Sequence, residues 1–187
     1  CGTTIFRSGQ PEMKLAQKCQ AIELILSDVD GVLTDGGLIY DNQGIETKRF
    51  HVRDGFGVRL WQRAGGRFGL VTSRSSHLVK MRAAELDITV LRQGSQDKLT
   101  AVKELLQELQ LPPDRVCYIG DDLPDLGAVQ FAGVGVAVAD ACPELQAAAD
   151  YVTQAGGGQG AARETVEMIL KAQRRWDDLI QTYALAE

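Results

Sequence analysis

Six short apolar runs punctuate the chain: IELILSDV (22–29), RFGLVTS (67–73), DITVL (87–91), RVCYIG (115–120), GVGVAV (133–138) and DYVT (150–153). Each is short and rich in Val, Ile and Leu, and each predicts a strand. Between them, stretches near 54–64, 76–86, 97–110, 122–131, 143–149 and 159–175 read as amphipathic helices. Near-continuous apolar strands alternating with helices predict an α/β fold, a doubly wound, mostly parallel sheet covered on both faces. One segment breaks the pattern. GGLIYDNQGIETKRFHVRDG (36–55) has two alternating stretches around Asp41-Asn42-Gln43-Gly44, which predicts a β-hairpin projecting over about 36–53. No repeat, low-complexity segment or linker interrupts residues 1–187, which read as one domain.

Composition narrows the possibilities. At 44% hydrophobic and 24% charged residues, 187 residues can build a substantial core. The formal net charge is −5 and there is no basic run, which argues against a nucleic-acid binder or a membrane-surface protein. No apolar run reaches the roughly 20 residues a membrane helix needs. The four cysteines, Cys1, Cys19, Cys117 and Cys142, lack metal-ligand spacing and read as reduced thiols in a soluble, cytoplasmic chain. Cys1 reads as a trimmed start rather than a lipidated residue.

In open α/β sheets, ligands bind beyond the carboxyl ends of the strands. That rule gathers Asp28 and Asp30 after the first strand, Thr72 and Ser73 after the second, and Asp121, Asp122 and Asp125 after RVCYIG, with Lys98 opening the helix after QGSQD. Singly, an aspartate after a strand is a turn former or helix cap. Together, D-x-D-G, a threonine, a lysine and GDD-x-x-D exceed what capping requires. Carboxylates converging from two strand ends need a counter-charge, and oxygen-only ligands select a hard cation such as Mg2+, with Asp28 and Asp121 as the expected ligands.

DVDGVLTD, VTSR, DKLTAV and GDDLPDL together resemble the haloacid dehalogenase superfamily of phosphohydrolases. FHVRDGFGVRL, QGSQDK, GVAVADACPEL, ADYVT and AGGGQGAARE narrow the resemblance to the cap-less 3-deoxy-D-manno-octulosonate 8-phosphate phosphatases and related nonulosonate 9-phosphate phosphatases, over roughly residues 22 to 172. Ser73 departs from the family's usual Thr-Gly-Arg. The resemblance implies that Asp28 attacks the phosphoryl group to form an aspartyl-phosphate and that Asp30 serves as general acid and then base. Mg2+ is then held by Asp28, the Asp30 carbonyl and Asp121, Thr72 and Lys98 bind the transferring oxygens, and Asp122 and Asp125 orient the others.

The resemblance further points to Arg53, Asp54, Gly55, Arg59, Arg74 and Arg82, beside Asp30 and Lys98, as substrate contacts. A keto sugar acid carries a carboxylate, which arginine grips with paired hydrogen bonds. The alternative for each arginine is a solvated helix charge. His51 reads as structural and His77 as a helix start, while the glycines at 156–158 and 160 read either as a phosphate cradle or as a flexible loop.

Three rival readings remain. One is an inactive oligomerisation module associated with a sugar-nucleotide synthetase, opposed by the intact Asp28, Asp30, Thr72, Lys98 and Asp121. The others are a mutase, which needs a cap for which no segment is long enough, and a protein phosphatase, which leaves the arginines without purpose. Eight- and nine-carbon substrates are not separated. The missing cap, the bare hairpin edges and the apolar tail over 176–187 (Trp176, Leu179, Ile180, Tyr183, Leu185) fit the homotetramer implied by the resemblance, in which a neighbouring subunit walls the site.

Overall fold

The computed structural model describes residues 15–184; Cys1 and Leu185 lie outside them. All six apolar runs contain strands: β1 (Leu24–Ser27), β4 (Arg67–Val71), β5 (Val90–Arg92), β6 (Val116–Gly120), β7 (Val134–Ala137) and β8 (Tyr151–Val152). They form one parallel sheet in the spatial order β5-β4-β1-β6-β7-β8. The order reverses beside β1, the topological switch point at which such sheets open a crevice. Ser27 pairs with Leu70 on one side and Ile119 on the other, so β4, β1 and β6 end nearly level. β1, β6 and β7 are buried along their whole length, which accounts for their unbroken apolar character.

The helices are α1 (Leu15–Gln20), α2 (Val52–Arg63), α3 (His77–Glu85), α4 (Lys98–Glu108), α5 (Leu126–Phe131), α6 (Pro143–Ala148), α7 (Ala161–Ala172) and α8 (Trp176–Ala184). Right-handed crossovers running outward from β1 to β5 place α2 and α3 on one face; reversal at β6 places α4, α5 and α6 on the other. α7 returns to pack along α2, and α1 packs beside α7. α1 is an addition to the expected elements. Its Cys19 is fully buried, and Gln173 after α7 donates to the Cys19 and Ile22 carbonyls. The helix expected over 122–131 starts late. Asp122 and Asp125 form a reciprocal cap around Pro124, which makes Leu123–Asp125 a 3-10 turn before α5.

The hairpin is present but slight: β2 (Ile39–Tyr40) and β3 (Glu46–Thr47) pair antiparallel over two residue pairs. Asp41 Oδ1 closes its turn by accepting from the Gln43 and Ile45 amides, each at 2.8 Å. Beyond it the chain alternates: Glu46, Lys48 and Phe50 face inward, while Thr47 and Arg49 face solvent. Leu38, Ile39, Tyr40 and Ile45 are each more than half exposed. The described part of the tail is α8, which folds onto its own chain, with the Tyr183 ring 5.5 Å edge-on from Phe56 and its hydroxyl against Arg63. Among the described residues no lid domain covers the sheet, and no helix is long and apolar enough to cross a membrane.

Candidate active site

Buried polar side chains are unevenly distributed. Ser27, Asp28, Thr72, Lys98 and Asp125 all lie at the carboxyl end of the sheet. Asp28 directly follows β1, where its amide extends the ladder by donating to Ile119 O at 3.0 Å. Thr72 directly follows β4; its amide donates to Arg92 O, and its buried hydroxyl accepts from the Arg74 amide. Lys98 is the first residue of α4, which Asp97 caps through the Thr100 amide. The lysine is thereby aimed at the strand ends, where Nζ lies 2.6 Å from Asp28 Oδ2 and 2.7 Å from Asp125 Oδ1.

Asp125 is the hub. Its Oδ1 accepts from Lys98 and from the Tyr118 hydroxyl at 2.8 Å, and its Oδ2 from the Asp121 and Asp122 amides. Both oxygens are therefore engaged, which makes Asp125 the group that orients Lys98 and the Asp121 loop. Asp122 is exposed and caps Leu123. Gly31, at φ +90°, admits Asp121 against the main chain, since a Cβ there would lie 2.0 Å from Asp121 Oδ2.

One lysine cannot neutralise three carboxylates. Burial, Asp125 and Asp28 push Asp121 up to about 8. Burial and Asp125 raise Asp28 to about 6 against the pull of Lys98. Burial would lower Lys98, but Asp28 and Asp125 more than offset it and its value rises. The shared lysine is overcompensated, and Asp28 and Asp121 are undercompensated. Asp28, Asp121 and Asp125 present oxygens within 4.8 Å of one another, and the buried Asp28 Oδ1 has no hydrogen-bond partner. Excess negative charge, oxygen-only donors and an orphaned carboxylate oxygen fit a hard divalent cation, with Asp28 and Asp121 free to hold it.

Asp30 lies two residues beyond Asp28. Its Oδ1 is paired with Lys48 of the hairpin, while its buried Oδ2 has no partner. Lys48 also lies 3.5 Å from Glu46, which accepts from Arg74 at 2.5 Å and from Ser76 at 2.9 Å. Lys48 and Glu46 escaped the sequence reading, although the inward alternation 46-48-50 was available to find them. Arg74 reaches the hairpin, pairing with Glu46 and donating to the Tyr40 hydroxyl. Ser73 leaves Thr72 in place and donates to Ser95 O.

The other expected contacts diverge. Arg82 pairs with Glu85, lies over Phe50, and lines a cavity of about 500 Å³ with Glu46, Lys48, Leu78 and Met81. A Cβ on Gly55 would lie 2.3 Å from the Arg82 guanidinium. Arg53 is exposed at the start of α2, and His51 caps that helix by accepting from the Arg53 amide. Arg59 reaches the far end of α3, donating to Glu85 O at 2.5 Å and pairing with Asp87 at 3.7 Å. The Asp54 carboxylate accepts from the Gly160 and Arg163 amides at the start of α7. That helix start therefore holds a carboxylate of the chain itself rather than a phosphate, and the glycine loop before it packs on residues 31–35.

A family model described as haloacid dehalogenase-like hydrolase matches residues 90–163. The 3-deoxy-D-manno-octulosonate 8-phosphate phosphatase KdsC of Escherichia coli K12 is 45% identical over 161 residues, 86% of each chain. The Yersinia pestis protein of that name is 47% identical over 157 residues, 84% of each. Among solved structures, the Moraxella catarrhalis 3-deoxy-D-manno-octulosonate 8-phosphate phosphatase, in complex with magnesium, phosphate and KDO, superposes with a TM-score of 0.88 at 46% identity, over 90% of this chain and 97% of that one. The cobalt-bound Haemophilus influenzae phosphatase gives 0.86 at 39% identity, over 90% and 99%. Carried by the aspartates and lysine at its strand ends and by relatives matched along most of its length, this chain belongs to the haloacid dehalogenase-like hydrolases and, within them, to the 3-deoxy-D-manno-octulosonate 8-phosphate phosphatase family.

Proposed function

We propose that this chain is a Mg2+-dependent phosphomonoesterase acting on 3-deoxy-D-manno-octulosonate 8-phosphate. The observation that carries the reading is that two buried carboxylate oxygens, Asp28 Oδ1 and Asp30 Oδ2, are unsatisfied while one lysine, Lys98, is shared by Asp28 and Asp125. Asp28 is the nucleophile: its carboxylate forms the bond to phosphorus as the sugar oxygen leaves, giving an aspartyl-phosphate. Asp30 gives a proton to that leaving oxygen and takes one from the water that hydrolyses the intermediate. Thr72 and Lys98 bind the transferring oxygens, whose charge grows in the transition state. Asp28, Asp121 and the Asp30 carbonyl are the groups that would hold Mg2+. When bound, the cation supplies positive charge that keeps those carboxylates ionised and offsets charge on the phosphoryl oxygens.

Selectivity rests on the cavity beside Lys48. Arg82 at its wall can exchange Glu85 for a sugar carboxylate, and Arg53 is a second candidate. The intact cluster weighs against an inactive oligomerisation module, because unpaired buried carboxylates are costly to keep. The exposed hairpin residues support a homotetramer, and the free thiols among the described residues, Cys19, Cys117 and Cys142, support a cytoplasmic setting. The test compares rates on the octulosonate 8-phosphate, a nonulosonate 9-phosphate, a hexose phosphate and a phosphopeptide, with Mg2+ and with excess chelator. The first substrate should be fastest, with activity lost in chelator and restored by Mg2+. Equal rates on hexose phosphate, or full activity in chelator, would contradict the reading. Light scattering should return a tetramer mass.

A further inference from the structure

The start of α7 is capped from a distance. Gly160, at φ +113°, offers no side chain to its own helix, and the cap comes from Asp54, which is 2% exposed and lies across the α2–α7 interface. Asp54 Oδ2 accepts from the Gly160 amide at 3.2 Å and Oδ1 from the Arg163 amide at 2.9 Å. A local Ser, Thr or Asn would cap the helix without burying a charge. The distant carboxylate does something that a local cap cannot: it ties two elements together.

What it fixes lies just upstream. Glu164 holds the loop before α7 by accepting from the Gln154 and Ala155 amides at 2.8 and 3.0 Å. The Gly157 amide donates to Asp140 Oδ1, and the Gly158 amide donates to Val32 O, each at 2.8 Å. The loop presses on the turn that follows Asp30. A Cβ on Gly157 would lie 1.9 Å from Gly31 O, and one on Gly158 would lie 2.6 Å from the Asp35 amide nitrogen. Gly31 in turn abuts Asp121. An unbroken line of contacts runs from Asp54, through the α7 start and the glycines, to the turn after Asp30, whose Gly31 abuts Asp121.

We infer that Asp54 is a positioning residue which, through the Gly156–Gly158 loop, sets the placement of the turn carrying Asp30, and is not itself a contact for substrate. The inference rests on the phosphatase reading above. Both of its carboxylate oxygens face α7, so none is presented to a sugar. The glycine loop is a packed wedge, and its lack of side chains is what permits the close approach.

Asp54→Asn retains one accepting oxygen, so one of the two amides loses its partner. Gly157→Ala forces backbone apart without touching Asp54. Both are to be assayed with saturating Mg2+ on the octulosonate 8-phosphate and on p-nitrophenyl phosphate, which lacks a sugar and a carboxylate, well below each variant's own melting midpoint. A misplacement of about 1 Å costs on the order of 100-fold in kcat, so Gly157→Ala should lose about that much and Asp54→Asn about tenfold, equally on both substrates, with KM within about twofold. A KM increase confined to the sugar acid phosphate would make Asp54 a substrate contact and overturn the inference. Unchanged kcat per folded molecule, or loss of folding in both variants, would reduce the tie to a structural cap and overturn it as well. A wild-type chain inactive on both substrates would bring down the phosphatase reading and the inference with it, a result distinct from an active wild type with unaffected variants.

Discussion

The strand-end cluster and the hairpin beside it hold their side chains in different ways. Asp28, Thr72 and Asp121 follow directly on three level, buried strands, and Asp125 is locked by four donors. The hairpin has two residue pairs and meets the core mainly through side chains: Lys48 on Asp30, and Arg74 and Ser76 on Glu46. The groups proposed to handle the phosphoryl oxygens are thus fixed by main-chain geometry, which catalysis by preorganisation requires. Asp30, the proposed proton carrier, and the cavity proposed for recognition depend on an element attached by charge.

That contrast can be broken by mutation. Asp28→Asn should cost on the order of 10⁴-fold or more in kcat with the fold retained, since it removes nucleophile and metal ligand together; residual turnover near wild type in steady-state assays would refute the assignment. Arg82→Ala should raise KM for the sugar acid phosphate by roughly 10- to 100-fold, the loss of a charge-assisted hydrogen bond, and leave p-nitrophenyl phosphate hydrolysis unchanged. Loss on both substrates would move Arg82 from recognition into the catalytic end. Lys48→Met should lower kcat about tenfold on every phosphomonoester by freeing Asp30, with partial rescue by Lys48→Arg. A loss as large as that of Asp28→Asn would erase the distinction between the two regions.

The smallest effect is on stability. In chelator, Asp28 and Asp121 sit above their ordinary 3.8, at about 6 and about 8. The folded chain then binds more protons than the unfolded chain between those values, so its stability is greatest at low pH and is lost as pH rises through them. From pH 5 to 8 the metal-free melting midpoint should fall by roughly 10 °C, and Mg2+ should flatten the slope. A midpoint that rises with pH in chelator would show the carboxylates to be fully compensated.

The placement of the strand-end side chains was legible in the sequence, because a side chain following a buried parallel strand has one place to go. Asp28, Thr72 and Asp121 are placed by the ladder itself. Helical side chains carry no such guarantee. Arg59 and Arg82 lie on neighbouring helices with equal claims, but Arg82 borders the cavity while Arg59 reaches the Glu85 carbonyl. The direction of Asp54 depends on how α2 packs against α7, two elements that begin more than a hundred residues apart. Lys48 went unread because a lysine in an exposed hairpin is ordinarily solvated; here its side chain is only 2% exposed, since Asp30 draws it inward. The glycine loop was read as open to phosphate or to motion, and its wedge role depends on contacts with Gly31 and Asp35 that local sequence does not encode.

Asp28 is proposed to carry the phosphoryl group between substrate and water. Rapid acid quench of a single turnover with the octulosonate 8-phosphate and Mg2+, followed by peptide mass spectrometry, tests it most directly. A transient, hydroxylamine-labile phosphoryl adduct is expected on the peptide containing Asp28, absent from Asp28→Asn. Full turnover with no adduct at any quench time, or an adduct on another residue, would contradict it.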